Sequence, residues 1–230
     1  TNGSINTTKT SANVDAGFSM ITYTGNGSAT QTVGHGLTKA PEMIMVKRRD
    51  SAQHWIVYHA SNTAAPETEA LLLSATDATY DHDGYWDDTA PTSSVFTIDT
   101  FHDVNASSGT YIAYCFHSVD GYSKVGSYIG NGNNDGVYVH LGFRPMFVIA
   151  KVATAGTHGW GIYNSKSKTY NPLGNVLQAN ASNAEMTSEF LDFTSNGFKH
   201  RTSSTWNNGS GQTYIYLAFA ETPFKYSNAR

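Results

Sequence analysis

Short runs rich in Val, Ile, Thr, Tyr and Phe alternate along the chain with clusters of Gly, Asn, Ser and Asp, the mark of strands joined by polar turns. The runs predict strands over 18–24, 30–34, 42–48, 54–58, 70–74, 94–100 and 110–117. A second series follows over 122–128, 136–140, 146–152, 160–164, 175–179, 190–200 and 213–220. Met43–Val46 and Met146–Ala150 are continuously apolar and predict central strands covered on both faces, whereas Tyr111–Phe116 sends small and large groups to opposite faces. No stretch carries a convincing helical period. The nearest is Pro66–Leu73, where Pro suits the first position of a single helical turn before a strand.

The two series match. Gly17-Phe18-Ser19, leading to Tyr23-Thr24-Gly25-Asn26-Gly27, is answered by Gly121-Tyr122-Ser123, leading to Tyr128-Ile129-Gly130-Asn131-Gly132. Ala40-Pro41 through Lys47 is answered by Arg144-Pro145 through Lys151, and His54-Trp55-Ile56-Val57-Tyr58 by His158-Gly159-Trp160-Gly161-Ile162-Tyr163. Ser108-Gly109-Thr110-Tyr111 through Phe116 is answered by Ser210-Gly211-Gln212-Thr213-Tyr214 through Phe219. Equivalent positions stay about 102 to 105 residues apart, which implies duplication of a whole structural unit. The expected fold is all-β, with two tandem sandwich-like, jelly-roll-like repeats of about 100 residues packed together. Residues 1–16 hold four Thr, three Asn and no aromatic ring, too little apolar surface to fold alone, and read as an N-terminal linker or extended segment. The boundaries are then a linker over 1–16, a first β-sandwich repeat over 17–119 and a second over 120–230.

Composition narrows the function. Charged residues make up 14% of the 230 positions, against about 25% in an average domain. The net charge is −4 with Lys and Arg scattered, so no basic stripe points to nucleic acid. No apolar run approaches the roughly 18 residues of a membrane span, and membrane insertion is not expected. The lone cysteine, Cys115, sits in an apolar run and predicts a buried thiol; it excludes an intrachain disulfide and a multi-Cys zinc site.

Features present in both copies are expected to serve the fold. Trp55 and Trp160, Tyr58 and Tyr163, Pro41 and Pro145, Lys47 and Lys151, and the Gly-Asn-Gly turns, read as hairpin turns, belong to this class. Features confined to one copy are freer. Asp81-His82-Asp83-Gly84-Tyr85-Trp86-Asp87-Asp88 is the densest polar cluster and has no close counterpart. It reads as a solvated, aromatic-anchored loop, as a surface whose Tyr85 and Trp86 stack sugars beside Asp83 and Asp87, or as oxygen ligands for a hard cation. Its spacing does not match a calcium helix-loop-helix. Tyr170 and Trp206 join it as candidate ligand contacts. The nine His residues include no HExxH pair, no Gly-x-Ser-x-Gly elbow appears, and no Lys-Ser/Thr follows the glycine turns. The expectation is no catalytic residue, no metal and no cofactor. A polysaccharide depolymerase using Asp83 or Asp87 is the enzymatic alternative, weakened because acids of one loop are poorly placed to flank a sugar.

The strings Gly17–Gly27 and Val33–Arg49, with the ending Ala218–Arg230, together resemble a tandem domain of tailed-bacteriophage structural proteins. These are notably marine and cyanophage-type tail-fibre and other virion proteins, and the resemblance spans Gly17 to Arg230. It implies a non-enzymatic virion protein, a tail-fibre or receptor-binding domain contacting host surface polysaccharide, or else a purely structural capsid decoration or fibre adaptor. It further implies other virion proteins as partners, location on the extracellular particle after assembly in the host cytoplasm, and a homo-oligomer, with a trimer favoured. The Tyr226–Arg230 ending reads as a natural C-terminus.

Overall fold

A computed structural model describes residues 2–188 and 190–222; the ending over 226–230 lies outside the described residues. The chain is all-β, built of antiparallel sheets, and divides into two compact units: the chain to Leu73 with Thr79–His117, and Ser74–Ala78 with the chain from Ser118 onward.

In the first unit the strands are β1 (Thr7–Asn13), β2 (Phe18–Thr24), β3 (Gln31–Gly34), β4 (Met43–Arg48), β5 (Trp55–His59), β6 (Glu69–Leu72), β7 (Tyr80–Asp81), β8 (Val95–Ile98) and β9 (Thr110–Phe116). Two four-residue helices interrupt them, α1 (Asp83–Trp86) and α2 (His102–Asn105), and Pro66–Thr68 makes one 3-10 turn ahead of β6. One sheet runs β1-β2-β9-β4-β5-β6-β7, and β3 pairs β8 separately. In the second unit the strands are β10 (Ser123–Ile129), β11 (Tyr138–His140), β12 (Pro145–Val152), β13 (Gly161–Asn164), β14 (Leu177–Gln178), β15 (Leu191–Thr194), β16 (Gly197–His200) and β17 (Thr213–Ala220). One sheet runs β10-β17-β12-β13-β14 and a second runs β11-β16-β15. The order β2-β9-β4-β5-β6 thus recurs as β10-β17-β12-β13-β14. A single apolar cluster of the second unit takes Tyr128, Val148 and Tyr216 from the larger sheet and Val139, Phe193 and Phe198 from the smaller one.

Paired tyrosines explain why the central strands carry so many phenols. Tyr23 stacks on Tyr111 at 5.0 Å, and Tyr128 on Tyr214 at 5.0 Å. All four rings are buried, which removes large apolar area from water but leaves each hydroxyl needing a partner. The partners are main-chain carbonyls of the loop before the last strand. Tyr23 donates to Val104 O and Tyr111 to His102 O; Tyr128 donates to Asn207 O and Tyr214 to Thr205 O, at 2.7–2.8 Å.

Three expectations are corrected. The segment read as a linker contains β1, an edge strand whose ladder to β2 runs from Thr7↔Tyr23 to Asn13↔Phe18; main-chain hydrogen bonds hold it, so its lack of apolar residues was no obstacle. The Gly-Asn-Gly turns are not hairpins, because β2 and β3 lie in different sheets and do not pair. They are corners: Asn105 Oδ1 takes the Asn26 N–H at 2.9 Å, and Asn208 Oδ1 takes the Asn131 N–H at 3.1 Å. Glycine is required there by close backbone approach, since a Cβ would sit 2.5 Å from Ala106 O at Gly25 and 2.2 Å from Gly209 O at Gly130. Finally, the run over 190–200 is two strands, turned at Ser195–Asn196 so that Thr194 faces Gly197.

Lys47 and Lys151 are turn clamps. Lys151, 1% exposed, donates from Nζ to the carbonyls of Thr76, Val152 and His158 at 3.0, 3.1 and 2.8 Å. Burial pulls its pKa down to about 8. Lys47 donates to Gln53 O at 2.5 Å in the corresponding connection after β4.

Candidate functional site

The acidic-aromatic segment of the first unit folds back into the protein. His82 precedes α1 in extended conformation and its Nδ1 accepts the Gly84 N–H at 3.1 Å, a side-chain cap on the helical turn. Asp87 ends the turn in the left-handed region at φ 52°, its N–H bonded to Asp83 O at 3.0 Å. The turn carries Tyr85 and Trp86 inward, to 4% and 2% exposure. Trp86 meets Tyr58 edge-on at 5.9 Å, while Tyr85 lies between His82 at 4.3 Å and Phe101 at 5.1 Å. The Tyr85 hydroxyl lies 3.1 Å from that of Tyr80, and burial raises its pKa. These two rings are core anchors and present no face to a sugar. Asp83 is exposed and Asp87 half-buried, four residues apart on one turn, so they do not face each other across a cleft. Among the described residues no group of three or more His, Cys, Asp or Glu is placed to hold a metal ion.

Tyr170 is placed differently. It follows β13 on an open loop, 70% exposed, with the Lys168 ammonium 5.4 Å from its ring centroid. The adjacent Asn171 pins that loop to β15 through two bonds, Nδ2 to Phe193 O at 2.9 Å and Oδ1 from the Phe193 N–H at 3.0 Å. An exposed aromatic face on an anchored base can stack against a flat apolar surface without ordering the loop anew.

Trp206 is half-buried at the other end of β13. Its ring lies 5.1 Å from His158, and the backbone at Gly161, where a Cβ would sit 3.1 Å from the indole nitrogen, leaves room for it. His158 Nε2 lies 2.9 Å from Thr205 Oγ1, and burial, helped by the Lys151 charge, lowers the imidazole pKa. The six candidates therefore occupy three places: Asp83, Tyr85, Trp86 and Asp87 around α1, Trp206 at the start of β13, and Tyr170 beyond its end. In the first unit four of them share α1, and in the second Trp206 and Tyr170 stand at opposite ends of β13.

Cys115 is fully buried, and desolvation raises its pKa, leaving no reactive thiolate. A surface not singled out by sequence lies on the open face of β1, β2 and β9, where Lys9, Ser11, Met20, Thr22, Arg49 and Ile112 line a groove. The legible signal was the alternation of Met20 and Thr22 with the core residues Ile21 and Tyr23; what hid it was that β1 carries no strand-like apolar pattern.

Neither a curated protein nor a solved structure matches the chain. A family model does match, over residues 1–223, described as a domain of unknown function. By that match, covering nearly the whole sequence, the chain belongs to the DUF7483 domain family.

Proposed function

We propose that this chain is a non-enzymatic module of a tailed-bacteriophage virion, acting as a tail-fibre or receptor-binding domain that contacts host surface polysaccharide. Each unit is read as a jelly-roll-like sandwich of a larger and a smaller sheet, the module working as a homo-oligomer, trimeric by resemblance, among other virion proteins on the particle surface. The observation that carries the reading is Tyr170, an exposed ring backed by Lys168 on a pinned loop. Such a group serves contact and not packing: 70% of it remains in water, where core tyrosines of the same unit are 0–8% exposed. The low charge and scattered Lys and Arg add support, since glycan recognition uses stacking and hydrogen bonds more than a strong field.

The test is adsorption of labelled protein to candidate host cells, with light scattering on the same sample for oligomer size. Saturable binding that free surface polysaccharide blocks, and that Tyr170→Ala with Lys168→Ala weakens at least about tenfold, is the expected result. Adsorption unaffected by the double substitution refutes the assignment of Tyr170. A second reading, a structural adaptor or capsid decoration, is favoured by Ile129, 64% exposed on the edge strand β10, an apolar side chain suited to a protein neighbour. It predicts binding to virion proteins and none to cells.

A further inference from the structure

One face of the seven-stranded sheet of the first unit is buried over β4, β5 and β6, at Met43, Val57 and Leu71, but carries exposed and half-buried side chains across β1, β2 and β9. In the β1–β2 ladder Lys9 stands opposite Thr22 and Ser11 opposite Met20. In the β2–β9 ladder Thr22 stands opposite Ile112 and Met20 opposite Tyr114. Arg49 donates its N–H to Thr110 O, which places it beside Thr110, two residues from Ile112 on the same face. Because side chains alternate along strands, Lys9, Ser11, Met20, Thr22, Ile112 and Arg49 all project to one side. With Thr8 and Thr10 of the exposed edge strand β1, they line an open groove of about 630 Å³.

The chemistry of this groove is specific in three respects. Its floor is apolar but accessible, with Met20 38% exposed and the ladder continuing to Tyr114, on which Trp55 stacks at 6.1 Å. Its sides carry hydroxyls, Ser11 and Thr22. At its rim stand two exposed cations, Lys9 and Arg49, neither with an ion-pair partner among the described residues. Apolar floor, hydroxyls and unpaired cations match a saccharide ring with a pendant carboxylate: its C–H face on Met20 and Ile112, its hydroxyls on Ser11 and Thr22, its carboxylate forked by Arg49 or met by Lys9. A polyphosphate is a poorer fit, because two cations on a chain of net charge −4 supply little field for one. The groove also belongs to one copy alone. At the corresponding positions of β10 stand Val125 and Ser127, and among the described residues β10 is the edge of its sheet, with no strand in the place of β1 and hence no counterpart of Lys9. A feature demanded by the shared fold would recur in both.

We propose that the open face of β1, β2 and β9 is a binding site for an acidic saccharide, a hexuronate-type chain whose carboxylates pair with Lys9 and Arg49. The proposal takes only its ligand class from the glycan-contact reading above and depends on none of the same residues.

The experiment is isothermal titration of the full chain with alginate oligosaccharides, alongside neutral dextran oligosaccharides and polyglutamate. Saturable binding of alginate, with dextran and polyglutamate much weaker, is expected. Arg49→Gln and Lys9→Gln should each weaken alginate binding by at least about tenfold, while leaving thermal unfolding unchanged because both side chains are exposed. No binding of alginate overturns the proposal, as do dextran bound equally well, polyglutamate bound equally well, or variants that bind like wild type. The two readings separate cleanly. If Tyr170→Ala abolishes alginate binding and Arg49→Gln does not, the groove falls while glycan contact survives. If Arg49→Gln abolishes it and host cells are not bound at all, the groove stands and the receptor-binding role falls.

Discussion

Acid should weaken this protein through His200. The imidazole is 1% exposed at the end of β16, 4.9 Å from the Tyr128 ring and 5.6 Å from Phe198, and neither ring nitrogen has a hydrogen-bond partner among the described residues. Desolvation, with a smaller contribution from the Lys199 charge, drops its pKa from 6.5 to about 3. Between those values the unfolded chain binds a proton that the folded chain refuses, so stability falls as pH falls through 6.5 and continues to fall until about pH 3. For one such group the loss is about 0.2 kcal/mol at pH 7 and about 2 kcal/mol at pH 5. The first unit suggests the control. Val33 pairs with Phe96 in β3–β8 as Val139 pairs with Phe198 in β11–β16, and two residues further on stand Ile98 and His200. His200→Ile should therefore fit the site and remove the titration. Urea unfolding of both proteins at pH 7 and pH 5 should show the variant's advantage growing by about 2 kcal/mol on acidification. Two profiles that stay parallel to within about 0.5 kcal/mol would refute the buried neutral imidazole as the source of acid sensitivity.

Three further outcomes are expected. Lys151→Met should destabilise by about 2–4 kcal/mol in urea, because the carbonyls of Thr76, Val152 and His158 lose a buried charged donor; a cost below about 0.5 kcal/mol would mean that water replaces it. Tyr128→Phe and Tyr23→Phe should each cost about 1–2 kcal/mol by stranding the carbonyls of Asn207 and Val104, and unequal costs would show that the two corners are not energetically alike. Cys115 should resist a thiol reagent in the native protein and react on unfolding; rapid native labelling would contradict its burial inside β9.

The all-β character was readable from the chain because strand-forming runs and turn clusters alternate with little ambiguity. Runs such as Phe18–Thr24 and Thr213–Ala220 occupy the strands predicted for them, since the side chains that pack the sheet are also the ones that mark it. The importance of Tyr23, Tyr111, Tyr128 and Tyr214 was partly visible in their recurrence, but not the carbonyls that their hydroxyls find, which lie 9 to 81 residues away. Other features were beyond local reading. Trp86 and Tyr85 sit among four aspartates, and composition alone could not tell that one helical turn, capped by His82, would point both rings into the core. β1 could not be seen as a strand because an edge held by main-chain hydrogen bonds needs no side-chain pattern. The groove of Lys9, Met20 and Arg49 exists only because that edge brings together residues far apart in sequence. Local propensity and periodicity determined which residues are strands; long-range register decided which of their faces meet, and hence where ligand chemistry can collect.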